Sequence, residues 1–264
     1  MIYLKAILLA IVEGVTEFLP ISSTGHMIIV DAYMKLSSDQ AFADAFMVII
    51  QLPAILSVVA FFWKDLWPFK ADMSETRERL FLWTKIVIAF LPAVVFGLLF
   101  DDLIEEKLFN PVTVALALVV GGVVLILLER RPSKGQIVSA RGIPLKMAVF
   151  IGLIQCVAMI PGTSRSAATI IGAMILGASR LAAAEFSFFL AIPTMCGATA
   201  YKVMKHGVDF TGQEWAVIAI GSLVSFVTAY AVIAVFMNFI RRRSFTPFGW
   251  YRIALGILVL LLLL

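Results

Sequence analysis

The sequence predicts an all-α polytopic membrane protein, an inverted-topology repeat in which each half is one re-entrant helical hairpin plus three transmembrane helices. Three observations predict it. The 264-residue chain is 62% hydrophobic and 14% charged, with a mean hydropathy of +1.02; soluble domains are about half apolar and about a quarter charged. Apolar stretches long enough to cross a bilayer recur along its length, and the alternation of an outer-membrane barrel is absent. Two polar interruptions, EGVTEFLPISSTGH at 13–26 and PGTSRSAAT at 161–169, each split an apolar stretch.

In chain order, residues 1–40 form the first hairpin, with arms 2–19 and 27–36 parted by Pro20-Ile21-Ser22-Ser23-Thr24-Gly25. Spans follow at 42–63, 84–100 and 111–128. Residues 145–180 form the second hairpin, with arms 145–160 and 167–178 parted by Pro161-Gly162, and further spans follow at 185–201, 214–240 and 249–264. Loop charge sets the orientation. The 64–85 loop carries Lys64, Lys70, Arg77, Arg79 and Lys85, the 129–146 loop Arg130, Arg131, Lys134, Arg141 and Lys146, and Arg241-Arg242-Arg243 opens the 241–248 loop. The positive-inside rule puts these in the cytoplasm, with the acidic 101–110 loop and the weakly basic 202–213 loop outside. Residues 145–178 must then begin and end inside, and residues 1–40 begin and end outside. The arms of the second segment are short for full crossings, so it turns back near mid-membrane, and the first is read as a second hairpin by the same topology; broken helices at that depth are tolerated only in protein or beside a wet cavity.

The halves also look duplicated within a single membrane domain, 1–264. Pro20-Ile21-Ser22-Ser23 answers Pro161-Gly162-Thr163-Ser164 at an offset of 141, Phe46 and Pro53 answer Phe186 and Pro193 at 140, and Phe109-Asn110-Pro111 answers Phe245-Thr246-Pro247 at 136. One hairpin plus three spans per half inverts the second repeat (145–264) relative to the first (1–132), and such architectures form sites at the midplane. The pI of about 9.1 reflects these loop clusters and implies no nucleic-acid partner. Cys156 and Cys196 lie in apolar stretches without metal-ligand spacing, so neither disulfide nor zinc is expected. Residues 1–12 hold Lys5 and no small-residue cleavage site, so no removable signal peptide is expected.

The interruptions carry the chemistry. Glu13 and Glu17 share a helix face, and carboxylates at membrane depth mark a cavity, proton path or ion site; snorkelling to the surface is the plainer alternative. Ser22, Ser23 and Thr24 precede a second arm. One hydroxyl would serve as its cap, while three beside a helix N-terminus also make an anion cradle. His26 follows on the same arm. In the second break Arg165 must be paired, and its fork suits phosphate oxygens or a carboxylate; an Arg165–glutamate pair stapling the hairpins is compatible with either role. Cationic and amide donors imply an anionic ligand, histidine and carboxylates imply a reaction, and an intramembrane cavity implies a lipid. Phosphate-ester chemistry on a lipid fits all three. A lipid-phosphate transporter or flippase using the same headgroup site is the rival reading.

The two segments EGVTEFLPISSTGH and PGTSRSAAT resemble the signature regions of the bacterial undecaprenyl-diphosphate phosphatases, also called bacitracin-resistance proteins. The resemblance runs over essentially the whole chain, including FNP at 109–111 and RRRSFTPFGWYR at 241–252. It implies an integral hydrolase of the bacterial cytoplasmic (inner) membrane that releases the terminal phosphate of undecaprenyl diphosphate, yielding the monophosphate carrier of peptidoglycan precursors. It also implies a divalent cation, Mg²⁺ or Ca²⁺, at Glu13 and Glu17. Glu17, Ser23, His26 and Arg165 are the expected catalytic residues, and Ser22, Thr24, Gly25, Gly162, Thr163, Ser164 and Ser166 the expected substrate-binding ones. Ser23 activated by His26 or by Glu17, His26 itself, or water are the candidate nucleophiles, with Ser23 and His26 as base preferred. The site is expected to open outward, with the lipid substrate and the membrane as partners and homodimerisation left open.

Overall fold

The computed structural model describes residues 1–131, 135–206 and 210–263. Lys134 of the basic 129–146 loop and residues 207–209 of the 202–213 loop lie outside them. The described residues form twelve α-helices with two short 3₁₀ turns and no strand beyond one isolated bridge between Ile137 and Ala178. The helices are α1 (Ile2–Thr16), α2 (Ser23–Tyr33), α3 (Gln40–Ile49), α4 (Gln51–Phe61), α5 (Trp63–Leu66), α6 (Met73–Leu108) and α7 (Pro111–Glu129), then α8 (Leu145–Gln155), α9 (Arg165–Ile175), α10 (Arg180–His206), α11 (Gly212–Ile240) and α12 (Thr246–Leu263).

Among the described residues six helical stretches are long and apolar enough to cross a bilayer: Gln40–Phe61, Met73–Phe100, Pro111–Glu129, Arg180–Tyr201, Gly212–Ile240 and Thr246–Leu263. They correspond one for one to the expected spans. Their starts follow from local chemistry. Asn110 Oδ1 accepts the Thr113 N–H at 3.0 Å with Pro111 at the first helical position, and Thr211 with Glu214 closes a capping box on α11, so orphan donors are satisfied at both ends.

Parts of three expected loops are in fact helical: 202–206 end α10, and the other two lie in α6. Residues 101–108 continue α6, and residues 73–85 form its first turns, making one 36-residue helix. At 1.5 Å per residue it is about 54 Å long, well beyond a hydrocarbon core of about 30 Å. Residues 101–108 hold no glycine or proline, so the helix continues to Leu108 despite their acidic composition. Pro92 and Pro193 lie inside α6 and α10 without ending them.

Packing relies on close approach. α1 lies on α11 and α8 on α6, α7 packs along α12, and α4 and α10 meet each other. A Cβ on Gly14 would meet Ser225, Thr228 and Ala229 of α11, and one on Gly152 would fall on the Ala89 backbone of α6. Small residues let helices approach where lipid gives no hydrophobic drive. The largest buried cluster joins Phe18, itself part of the first polar interruption, with Phe62, Phe186, Phe188 and Phe236 and with residues from α4, α6, α8 and α9.

Candidate active site

Both interruptions end in the same local structure. α1 stops at Thr16, residues 17–22 turn, and α2 begins at Ser23; α8 passes through a 3₁₀ turn at Cys156–Met159 before α9 begins at Arg165. Ser22 and Ser164 are the two positive-φ non-glycine residues among those described, at φ 74° and 72°. Each is an N-cap: Ser22 Oγ accepts the Gly25 N–H and Ser164 Oγ the Ala167 N–H, both at 3.2 Å. Such backbone conformations cost about 1–3 kcal/mol and persist where surrounding structure enforces them. Each cap leaves the first amides of its helix pointing out of the helix end.

The two helix starts meet. Ser166 Oγ donates to the Leu19 carbonyl at 2.8 Å. Arg165 Nη2 donates to Glu17 Oε1 at 3.0 Å across 148 residues of sequence, with both side chains nearly buried. The same guanidinium donates through Nη1 to the Ser187 carbonyl at 3.2 Å and lies over the Phe18 ring, its carbon 5.9 Å from the centroid, a cation–π contact. The other Glu17 oxygen, Oε2, accepts the Ser23 hydroxyl at 2.8 Å. Ser23, Glu17 and Arg165 therefore form one chain of charge-assisted hydrogen bonds. Glu13, one turn back, is 1% exposed, and its Oε1 has no hydrogen-bond partner.

His26 departs from the preferred pairing. Its Nδ1 lies 2.7 Å from the Ser22 carbonyl and its Nε2 2.7 Å from the Tyr251 hydroxyl, with the two rings stacked at 5.6 Å. A carbonyl only accepts, so Nδ1 carries the proton, and in the neutral ring Nε2 accepts from Tyr251. Glu17, not His26, holds the Ser23 hydroxyl. The physical reason is spacing: one helical turn of α2 points His26 back at the Ser22 carbonyl, while the turn at 17–22 folds Glu17 over Ser23.

The expected binding residues divide by what they touch. Gly25 gives its N–H to Ser22, and a Cβ there would strike Leu118 and Leu255, so it serves close packing on α7 and α12. Gly162, at φ +91°, lies with its Cα on Val114, and only glycine combines that φ with that contact. Ser22 and Ser166 are buried. Thr24, Thr163 and Ser164 are half-buried, as is Ser23.

Arg252 escaped the sequence reading. It is fully buried on α12 and donates to the Pro20, Gly162 and Thr163 carbonyls of the two breaks and to Ala117 and Leu118 of α7, at 2.9–3.3 Å. A lone arginine inside an otherwise apolar span was the signal that could have found it. Arg252→Met is expected to cost at least about 3 kcal/mol, because buried carbonyls lose a charged donor. Thermal unfolding in detergent should show a clear fall in melting temperature, with Arg252→Lys recovering part of it; an unchanged melting temperature in the methionine variant would contradict the arrangement.

Fold and site together define a polytopic α-helical membrane protein with a hydroxyl–carboxylate–guanidinium cluster where two interrupted helices meet. The sequence pattern of the family described as bacitracin resistance protein BacA matches residues 6–258, and the chain belongs to that family. It is 49% identical over 258 residues to an undecaprenyl-diphosphatase 1 of Clostridioides difficile, covering 97% of this chain and 94% of that protein. It is 52% identical over 266 residues to an undecaprenyl-diphosphatase of Fusobacterium nucleatum, covering 97% and 99%, and 48% identical over 265 residues to one of Enterococcus faecalis, covering 98% and 96%.

Proposed function

We propose that this chain is an integral membrane hydrolase that removes the terminal phosphate of undecaprenyl diphosphate, leaving undecaprenyl phosphate. One observation carries the catalytic reading: the unbroken Ser23–Glu17–Arg165 chain at the meeting of two helix N-termini. Arg165 is engaged by Glu17. A diphosphate entering between the helix starts competes for that guanidinium, and the freed Glu17 becomes a stronger base toward Ser23. Ser23 Oγ attacks the terminal phosphorus as its proton passes to Glu17, and the lipid monophosphate departs. Arg165, the first amides of α2 and α9, Thr24, Thr163 and Ser164 hold the charge spread over the phosphoryl oxygens. Water then releases phosphate from Ser23, with His26 Nε2, beside Tyr251, as the second acid–base group.

The donor set fits a divalent cation. Glu13 has an unpartnered buried oxygen one turn from Glu17, and Mg²⁺ is usually held by one or two carboxylates completed by substrate phosphates. These two residues would hold it, and when bound it would supply neutralisation of the diphosphate charge.

The molecule is read as two inverted repeats, 1–132 and 145–264, each with a re-entrant hairpin. Three features support this. The matched serines Ser22 and Ser164 share one unusual backbone conformation. The pairing of α1 with α11 corresponds, on exchange of halves, to that of α8 with α6, and α2–α12 to α9–α7. Gly14 and Gly152 make equivalent close approaches. The loop charges orient the first hairpin's ends outward, so the chamber opens to the outer face of the bacterial cytoplasmic membrane.

The test is phosphate release from undecaprenyl diphosphate by purified protein, with rapid quench and mass spectrometry to locate phosphate on the chain. Phosphoserine at position 23, absent in Ser23→Ala, is the expected result. Phosphate on His26, or lipid transfer between leaflets with no phosphate released, would overturn the mechanism or the reaction respectively.

A further inference from the structure

A groove of about 320 Å³ opens on the side of the molecule, lined by Leu19 of the first break, Val232, Val235, Phe236 and Phe239 of α11, and Phe248 of α12. We propose that it seats the first isoprene units of the polyprenyl tail; the proposal rests on the hydrolase reading above and extends it to the rest of the substrate.

Position comes first. Ala6 shares a buried cluster with Val217 and Ile218, and Gly14 lies against Ser225–Ala229. α1 and α11 therefore run parallel, and Leu19 stands level with the Ala231–Val232 turn that borders the groove. Leu19 is two residues from Glu17, and its carbonyl accepts the Ser166 hydroxyl. One end of the groove thus begins at the wall of the phosphate chamber. From there it follows α11 from 231 to 239, about 12 Å by helical rise, away from the end where α1 begins. A lipid whose diphosphate sits between the helix starts, with its tail hanging toward the opposite face, has this as its path.

Chemistry comes next. Every lining side chain is apolar, so the occupant carries no polar atom there. The floor is aromatic: Phe248 meets Phe236 at 5.6 Å and Phe239 at 5.5 Å, both edge-on. Rigid ring faces and edges suit the flat, methyl-branched alkenes of a polyprenyl chain, whose kinks recur at fixed intervals, better than a featureless acyl chain. The tail already lies in an apolar medium, so the groove adds little by transfer from water. It acts by packing and by fixing the headgroup's approach, and the effect therefore belongs in chain-length discrimination.

The experiment measures kcat/KM for phosphate release by the purified, detergent-solubilised protein from isopentenyl, geranyl and farnesyl diphosphates. The unmodified chain is expected to prefer farnesyl over isopentenyl diphosphate. Ala231→Phe, filling the groove beside Leu19, should reduce that ratio about tenfold, the scale of losing a small apolar subsite. Val235→Trp, at a 70% exposed position where folding is undisturbed, should reduce it as well. Leu223→Trp, 65% exposed on α11 outside the groove, controls for added bulk in the bilayer. A ratio unchanged in both groove variants overturns the proposal, as does an equal fall with Leu223→Trp. Unmodified protein releasing phosphate from none of the diphosphates sinks the hydrolase reading instead.

Discussion

Arg165→Ala is expected to reduce kcat/KM for phosphate release by about 10³-fold, the upper range for deleting one preorganised donor at a developing oxyanion. Four contacts are lost together: the Glu17 pair, the Ser187 carbonyl, the Met195 sulfur and the stacking over Phe18. Arg165→Lys should recover little, because an ammonium cannot span Glu17 and the α10 carbonyl at once or present a planar fork to phosphate. Steady-state kinetics on the purified variants measures both. A lysine variant within a few-fold of the unmodified protein would mean that charge alone matters at this position. Because the guanidinium also joins the two breaks, circular dichroism of the variants separates loss of chemistry from loss of fold.

Glu17→Gln should be nearly as damaging, about 10²- to 10⁴-fold in kcat, through a different route. Glutamine keeps the size of the side chain and can still accept from Ser23, but it has no capacity to take that proton. KM should move less than kcat, since Arg165 is then free for the diphosphate without competition. A raised KM with kcat unchanged would place Glu17 in binding alone. The contrast between the two variants is the sharper reading: Arg165→Ala weakens substrate affinity and turnover together, whereas Glu17→Gln chiefly slows turnover.

Much of this was legible in the sequence, for identifiable reasons. The six spans were readable because apolar length is a one-dimensional property. Glu17 and Arg165 were readable because charged groups at membrane depth require partners, and the two breaks held the obvious opposite pair. Residues 101–108 were misread because acidic residues signal water, which is compatible with a helix that continues past the interface. The His26 partner was unreadable. That its Nε2 meets Tyr251 depends on the register between α2 and α12, and neither helix encodes that register by itself. Arg252 was missed for a related reason: its partners, five carbonyls from three segments, come together only in the folded chain.

That convergence has a consequence for biosynthesis. Arg252 is translated after Pro20, Gly162 and Thr163, so until α12 has entered the bilayer neither turn has the donor that fixes its carbonyls. A chain still emerging from the ribosome carries its serine and glutamate without a formed chamber around them. The meeting of the two breaks therefore waits on the insertion of α12.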